Sequence, residues 1–404
     1  MHARKGSFCR TLRVLLASAL ATAAVTALLR ESAAIDIVVE AALENGARWL
    51  KQQQRNGGAW DSVGHPVGET SLVGLALLAA GEPVDSPAIR AAASLVRHGA
   101  LHEAETYDVS LAVMFLDRLG VRSDAGIIRR LGLRLANGQC ADGSWSYTLT
   151  VPTKAGDNSN TQFAALACWV CRRHGSENDD ALLAVDRYFR TSLNVANGGW
   201  GYTPRAESTP SMTCAGLVAL ATERGATIQR SSKLPSSSGS VGDRNDDGPR
   251  RDLRPLVADP VVAVALAHLG RELKADRISE RSKPNTGLYF FWSLERVGVI
   301  YGVDTIGGVD WYRWGKERLL RMQRPDGGWG GEPPKFVGTS ADTCFAMLFL
   351  ARSNVAEDLT GTLGGWQAGG NDGRPQTTGG FMRVERKSDR RARDKDEPAD
   401  QAKD

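Results

Sequence analysis

A length of 404 residues fits one large domain or two or three ordinary ones, so size alone leaves the architecture open. The 50 basic side chains nearly balance the 46 acidic ones, and a net charge of +4 gives no reason to expect nucleic acid, which needs a clustered basic surface. Apolar residues make up 42% of the chain, enough for a sizeable core.

In chain order, the first segment stands apart. His2, Arg4, Lys5, Arg10 and Arg13 precede an uncharged apolar run from Val14 to Leu29, and Ser32, Ala33 and Ala34 follow. A charged start, a short apolar centre and a small-residue end are the order of a secretory signal. The run falls short of the roughly 20 apolar residues of a membrane span. Arg30 and Glu31 interrupt it before the small residues, so residues 1–34 read as a signal peptide or an uncleaved signal anchor. The expected location is periplasmic or extracellular, or anchored through this segment, which is the only expected membrane contact. Cys9 lies within it. The other five cysteines, Cys140, Cys168, Cys171, Cys214 and Cys344, are an odd number in a large domain and read as buried apolar thiols, not a disulfide framework.

Beyond residue 34 the chain repeats. Gln54-Arg-Asn-Gly-Gly-Ala-Trp60, Gln139-Cys-Ala-Asp-Gly-Ser-Trp145 and Gln323-Arg-Pro-Asp-Gly-Gly-Trp329 share one spacing, and Asn194-Val-Ala-Asn-Gly-Gly-Trp200 is a fourth copy with Asn in the Gln place. A helical stretch precedes each, and an apolar helix opening near Thr70, Thr161, Thr213 or Thr343 follows. Glycine tolerates the left-handed backbone that ends a helix. The Gln can bond loop backbone, the Trp can anchor the turn on a neighbour, and the Thr can cap the next helix. Two further openings, at Tyr107 and Thr286, lack the Trp turn. The spacing predicts twelve helices, roughly over 36–54, 68–80, 86–98, 106–119, 124–137, 158–174, 179–193, 209–224, 257–275, 286–298, 310–323 and 340–353. Six hairpins that each need a neighbour predict an all-α, (α/α)6 toroid over residues 35–354, with the more apolar second helices inside. Residues 229–256, rich in Ser, Asp, Arg and Gly, read as a disordered insertion, and 355–404 as a disordered charged tail.

The stretch Trp49-Leu50-Lys-Gln-Gln-Gln54-Arg-Asn-Gly57-Gly58-Ala59-Trp60 resembles the repeat of squalene and oxidosqualene cyclases, whose toroid also serves protein prenyltransferase beta subunits. The resemblance covers about 36–353, and Tyr289-Phe-Phe-Trp-Ser-Leu-Glu with Thr305-Ile-Gly-Gly-Val-Asp-Trp311 looks like uncharacterised bacterial members of that family. It implies a proton-donating Asp in an Asp-x-Asp-Asp-Thr-Ala stretch on an inner helix. Asp342 and Thr343 take the last two matching places, but Ala341 stands where the donor belongs. Asp342 is therefore the candidate catalytic residue, with helix N-cap as its plainer reading. The resemblance to prenyltransferases makes Asp342 and Cys344, in Asp-x-Cys spacing, weak zinc ligands without a third partner. No metal and no cofactor is expected.

Tyr107, Asp108, Tyr289, Trp292 and Glu295 are the candidates for lining a central cavity, against the plainer reading of helical core. Gln54, Trp60, Gln139, Trp145, Trp200, Gln323 and Trp329 are read as structural. Two functions compete. One is an exported binding or interaction module for an apolar, isoprenoid-like ligand or a protein. The other is a divergent enzyme, either a terpenoid cyclase or transferase or a carbohydrate-active toroid needing paired carboxylates. The missing acid favours the module.

Overall fold

The computed structural model describes residues 37–60, 64–151, 153–233, 256–275, 287–330, 339–353 and 356–367. The expected signal segment, the Gly-rich end of the tail and most of the insertion lie outside them. The described residues are mostly helical. Helix α1 covers residues 37–53, and then come α2 (Pro66–Ala79), α3 (Pro87–Gly99), α4 (Thr106–Leu119), α5 (Ala125–Asn137), α6 (Asn158–Arg172) and α7 (Asp179–Ser192). They continue with α8 (Pro210–Lys233), α9 (Pro260–Lys274), α10 (Gly287–Ile300), α11 (Trp311–Met322), α12 (Thr339–Leu350) and α13 (Glu357–Gln367). A hairpin of two-residue strands, β1 (Thr305–Ile306) and β2 (Val309–Asp310), turns through Gly307 and Gly308, both at positive φ. It is the only strand pair among the described residues, so the class is all-α.

Local chemistry explains the starts. Pro66, Pro87 and Pro260 open their helices, where a missing N–H costs nothing. Ser86, Asp259 and Asp310 cap α3, α9 and α11 by accepting first-turn backbone N–H groups. Burial then sorts the helices into two kinds. Helix α5 buries one stripe, Ile128, Leu131, Gly132 and Leu135, as a helix covered on one side does. Helices α2 and α6 are buried without interruption from Val67 to Ala79 and from Asn158 to Cys171. The fully buried kind packs in sequence: α2 on α4, α4 on α6, α6 on α8, α8 on α10, α10 on α12, and α12 back on α2. The striped kind lies against them, α3 on α2, α5 on α4 and α6, α7 on α6 and α8, α9 on α8, and α11 on α10 and α12.

Four equivalent corners carry the chain from a striped helix to a buried one. In each, the Trp indole N–H donates to a carbonyl of the preceding helix: Trp60 to Leu50 at 2.7 Å, Trp145 to Leu135 at 2.7 Å, Trp200 to Phe189 at 2.9 Å and Trp329 to Leu319 at 2.8 Å. The Gln side chain donates twice, once to its own corner and once to the next striped helix: Gln54 to Gly58 and Ala88, Gln139 to Gly143 and Ala181, Gln323 to Gly327 and Ala42. Each corner touches that next helix through a glycine: a Cβ on Gly143 would come within 2.5 Å of the Ala184 carbonyl oxygen, and one on Gly327 within 2.7 Å of that of Asn45. The corner is thus a clamp between successive hairpins as well as a turn.

Three expectations change. The threonines do not cap their helices. Thr70, Thr161, Thr213 and Thr343 lie inside α2, α6, α8 and α12, and each Oγ1 accepts the backbone N–H of the corner Trp, at 2.9 to 3.4 Å. Residues 229–233, expected in the insertion, extend α8 to Lys233. The expected tail begins with a packed helix: Ala356, Leu359 and Leu363 are buried, and Asp358 accepts the Trp169 indole N–H at 3.1 Å and the Arg173 guanidinium at 2.7 Å.

Candidate functional site

The buried helices begin at one common end, here called the head. Helix α6 puts an unusual sequence there. Asp157, Asn158, Ser159, Asn160, Thr161 and Gln162 are six consecutive polar residues, and all are buried, the most exposed at 8%. Polar groups are costly to bury unless bonded, so such a run marks a place where stability yields to another requirement. Asp157 caps α6, accepting the N–H groups of Ser159 and Asn160 at 3.0 and 2.9 Å and the Asn160 side-chain amide at 2.8 Å. Burial raises the Asp157 carboxyl above the usual carboxylate range against the pull of these bonds.

From this turn a polar chain crosses the helix set. The Tyr107 hydroxyl on α4 donates to Ser159 at 2.6 Å, Ser159 to Tyr289 on α10 at 3.4 Å, and Tyr289 to Gln162 at 2.5 Å. Beneath it the aromatics close ranks. Phe163 stacks on Trp292 with centroids 4.8 Å apart, and Tyr107 meets Phe163 edge-on at 5.0 Å. Phe345 of α12 lies 5.8 Å from both Tyr289 and Trp292. Helices α6 and α10 have α8 between them in the packing order, so these side chains meet across the interior. Of the expected cavity residues, Tyr107, Tyr289 and Trp292 therefore share one cluster. Its members face each other, with Trp292 and Phe163 each only 3% exposed.

Asp108 belongs to the head but to another group. Its carboxylate lies 3.2 Å from His65 Nδ1, and a Cβ on Gly68 would overlap its Oδ1, so the glycine clears the space it occupies. Burial raises this carboxyl to about 6 against the opposing effect of the His65 bond. On the other flank of α2, Asp342 sits in the first turn of α12, against Gly330. Helix α12 starts at Thr339, which corrects the N-cap reading. Burial alone raises the Asp342 carboxyl to about 6. Cys344, fully buried, has its thiol held well above the ordinary range by burial, with Glu69 and Asp342 adding to it. Among the described residues no three His, Cys, Asp or Glu side chains are grouped to hold a metal.

Glu295 does not join the head. It is fully buried beside Arg296, whose guanidinium also reaches the Ser353 carbonyl beyond the last turn of α12, the end opposite Asp342. Burial raises its carboxyl to about 7 in spite of Arg296. The pair reads as an interior tie between α10 and the end of α12.

The polar turn of α6 was missed in the sequence. Its signal was present: Asp-Asn-Ser-Asn-Thr-Gln opens a helix that continues as an unbroken apolar run, and such a helix has no solvent face on which to place six polar side chains. Compared with protein-family models and with curated proteins, the chain matches none.

Proposed function

We propose that the chain is an exported (α/α)6 toroid of the squalene-cyclase and prenyltransferase kind, acting as a binding module whose ligand sits at the head of the inner helices. The packing order from α2 through α12 and back to α2 supports the ring, as do the four equivalent corners. Ala341 at the donor position argues against alkene protonation. The observation that carries the reading is the stacking of Phe163 on Trp292 at 4.8 Å. Side chains of α6 and α10 meeting across the ring occupy the space a polyprenyl guest would need, and they leave the head, with its polar turn, as the binding end. A protein segment, with polar groups of its own, suits such a polar end better than an isoprenoid does.

The test pairs turnover with retention. Purified full-length chain incubated with squalene and with geranylgeranyl diphosphate yields no cyclised or transferred product, and solvent extraction of the fresh protein releases no polyprenyl lipid. A cyclised hydrocarbon, or a stoichiometric retained polyprenyl, refutes the reading. A second reading as a carbohydrate-active enzyme draws on one feature: Asp108 and Asp342, both raised to about 6, flank the head of α2. Carboxyls poised near neutrality suit acid–base work. Glycan cleavage lost in both Asp108→Asn and Asp342→Asn would establish it.

A further inference from the structure

We propose that the sector of the head built by Tyr107, Tyr147, Asp157, Asn158, Asn160 and Tyr202 binds an N–H-bearing cation, the ammonium of a lysine or the guanidinium of an arginine presented on a peptide. This rests on the binding-module reading and gives it a ligand class.

Tyr147 and Tyr202 are 53% and 39% exposed, and their hydroxyls lie 2.6 Å apart. Tyr107 meets Tyr147 edge-on at 6.1 Å. One exposed tyrosine is ordinary; two linked through their hydroxyls beside a third gather three aromatic rings in one place, and ring faces attract cations. A carboxylate lies next to it: Asn158 donates its backbone N–H to the Tyr202 carbonyl at 2.9 Å, and Asp157, 4% exposed, directly precedes Asn158.

The acceptors specify the donor. Asn158 and Asn160 are fully buried. Asn160 gives its Nδ2 to Asp157 at 2.8 Å, and Asn158 gives its Nδ2 to the Gly201 carbonyl, adjacent to Tyr202, at 2.7 Å. The carboxamide oxygens of both accept no hydrogen bond among the described residues. A buried acceptor left over costs the fold the desolvation of that oxygen, and an incoming N–H group relieves the cost. A quaternary ammonium has no such group to offer. The cation enters between Asp157 and the Tyr202 ring, which stays as a wall.

The surroundings favour positive charge. The segment carrying Glu103 and Glu105 pairs with the one carrying Tyr147, through Thr106 N–H to the Tyr147 carbonyl at 2.7 Å and Leu149 N–H to the Ala104 carbonyl at 2.8 Å. Asp108 follows directly and is engaged by His65. Lys154 and Arg205, both exposed, are the basic side chains on the adjoining loops.

The experiment is calorimetric titration of the full chain at low salt with three probes: N-acetyl-lysine methylamide, N-acetyl-arginine methylamide and the neutral N-acetyl-norleucine methylamide. Saturable millimolar binding of the two cations, with none of the norleucine probe, is expected. Tyr147→Leu weakens it about two- to thirty-fold, the range of a cation–π contact. Tyr202→Phe, which keeps the ring and removes only the hydroxyl bonded to Tyr147, holds it. Equal heats from the norleucine probe, unchanged affinity in Tyr147→Leu, or no cation binding at all overturns the pocket. If the chain then remains inert toward squalene, the cation site alone has failed; squalene turnover instead removes the module reading.

Discussion

Asp108 shows what a single buried acid costs this fold. Its carboxyl, 2% exposed, is raised to about 6 from an unfolded value near 4. Between those values the folded chain holds a proton that the unfolded chain has lost, so stability from this group falls as pH rises from about 4 to 6 and stays low above it. His65, Glu103 and Glu105 are the charged groups acting on it. Asp108→Asn keeps the shape and removes the charge. Relative to the wild type, the variant is expected to gain on the order of 1–3 kcal/mol at pH 8 and close to nothing at pH 4. Thermal melting at the two pH values checks it, and an equal difference at both would show that the charge is not the cause. Gln139 is the matching case among neutral side chains. Its amide clamps Gly143 and Ala181 at 2.8 and 3.0 Å. Gln139→Ala should cost about 1–3 kcal/mol in denaturant unfolding, because two partly buried carbonyls lose their donor. The fourth corner shows the clamp is replaceable: with Asn194 too short for the role, Arg271 of α9 reaches back to the Asn197 carbonyl at 2.8 Å.

At the scale of elements, the repeat made the helices legible and the partnership of two of them illegible. Glycine turns, corner tryptophans and apolar runs place α1 through α12 within three residues of where they stand, except at the end of α8, which runs nine residues past its expected stop at 224. What the sequence hid is that the end of α8 and α13 cover each other. Read alone, Thr227 to Lys233 looks polar, and Gly361, Gly364 and Gly365 look like a loop, since each glycine disfavours a helix by about 1 kcal/mol. Together they pack: a Cβ on Gly225 would meet Leu359 within 2.4 Å, and Gln229 reaches Thr362 at 3.5 Å. Neither segment carries enough apolar surface to announce itself without the other. Long-range pairing of this kind leaves no local period to read. The candidate site was half legible for the same reason: Tyr107, Tyr289 and Asp342 stand out as residue types, whereas Tyr147, Tyr202 and the use of Asp157 to Gln162 depend on proximity and burial visible only in three dimensions. Leu359→Ala should cost about 2–5 kcal/mol if α13 is part of the cooperative fold. An unchanged denaturation midpoint would make α13 an ornament on α8.

For the whole molecule, the question is whether the chain behaves as a ring or as a stack. Units in an open stack feel only their neighbours, so damage at one end stays there. In the proposed ring, the seam between the first and last hairpins is an ordinary interface, held by Gln323 on the Ala42 carbonyl at 2.9 Å and by Gly46 close against Trp329 and Met347. A Cβ on Gly46 would lie 2.8 Å from the Met347 sulfur and 2.9 Å from the Trp329 ring. Gly46→Val therefore overpacks the seam, at a cost of about 1–3 kcal/mol. Closure makes every hairpin depend on that seam. Hydrogen exchange should then show faster opening in α6, half the ring away, by the same free energy as in α2 and α12. Exchange that quickens in α1, α2 and α12 while α6 keeps its wild-type protection would mean the two ends meet without closing a cooperative circle, and the head would lose the rigid rim that the proposed binding role requires.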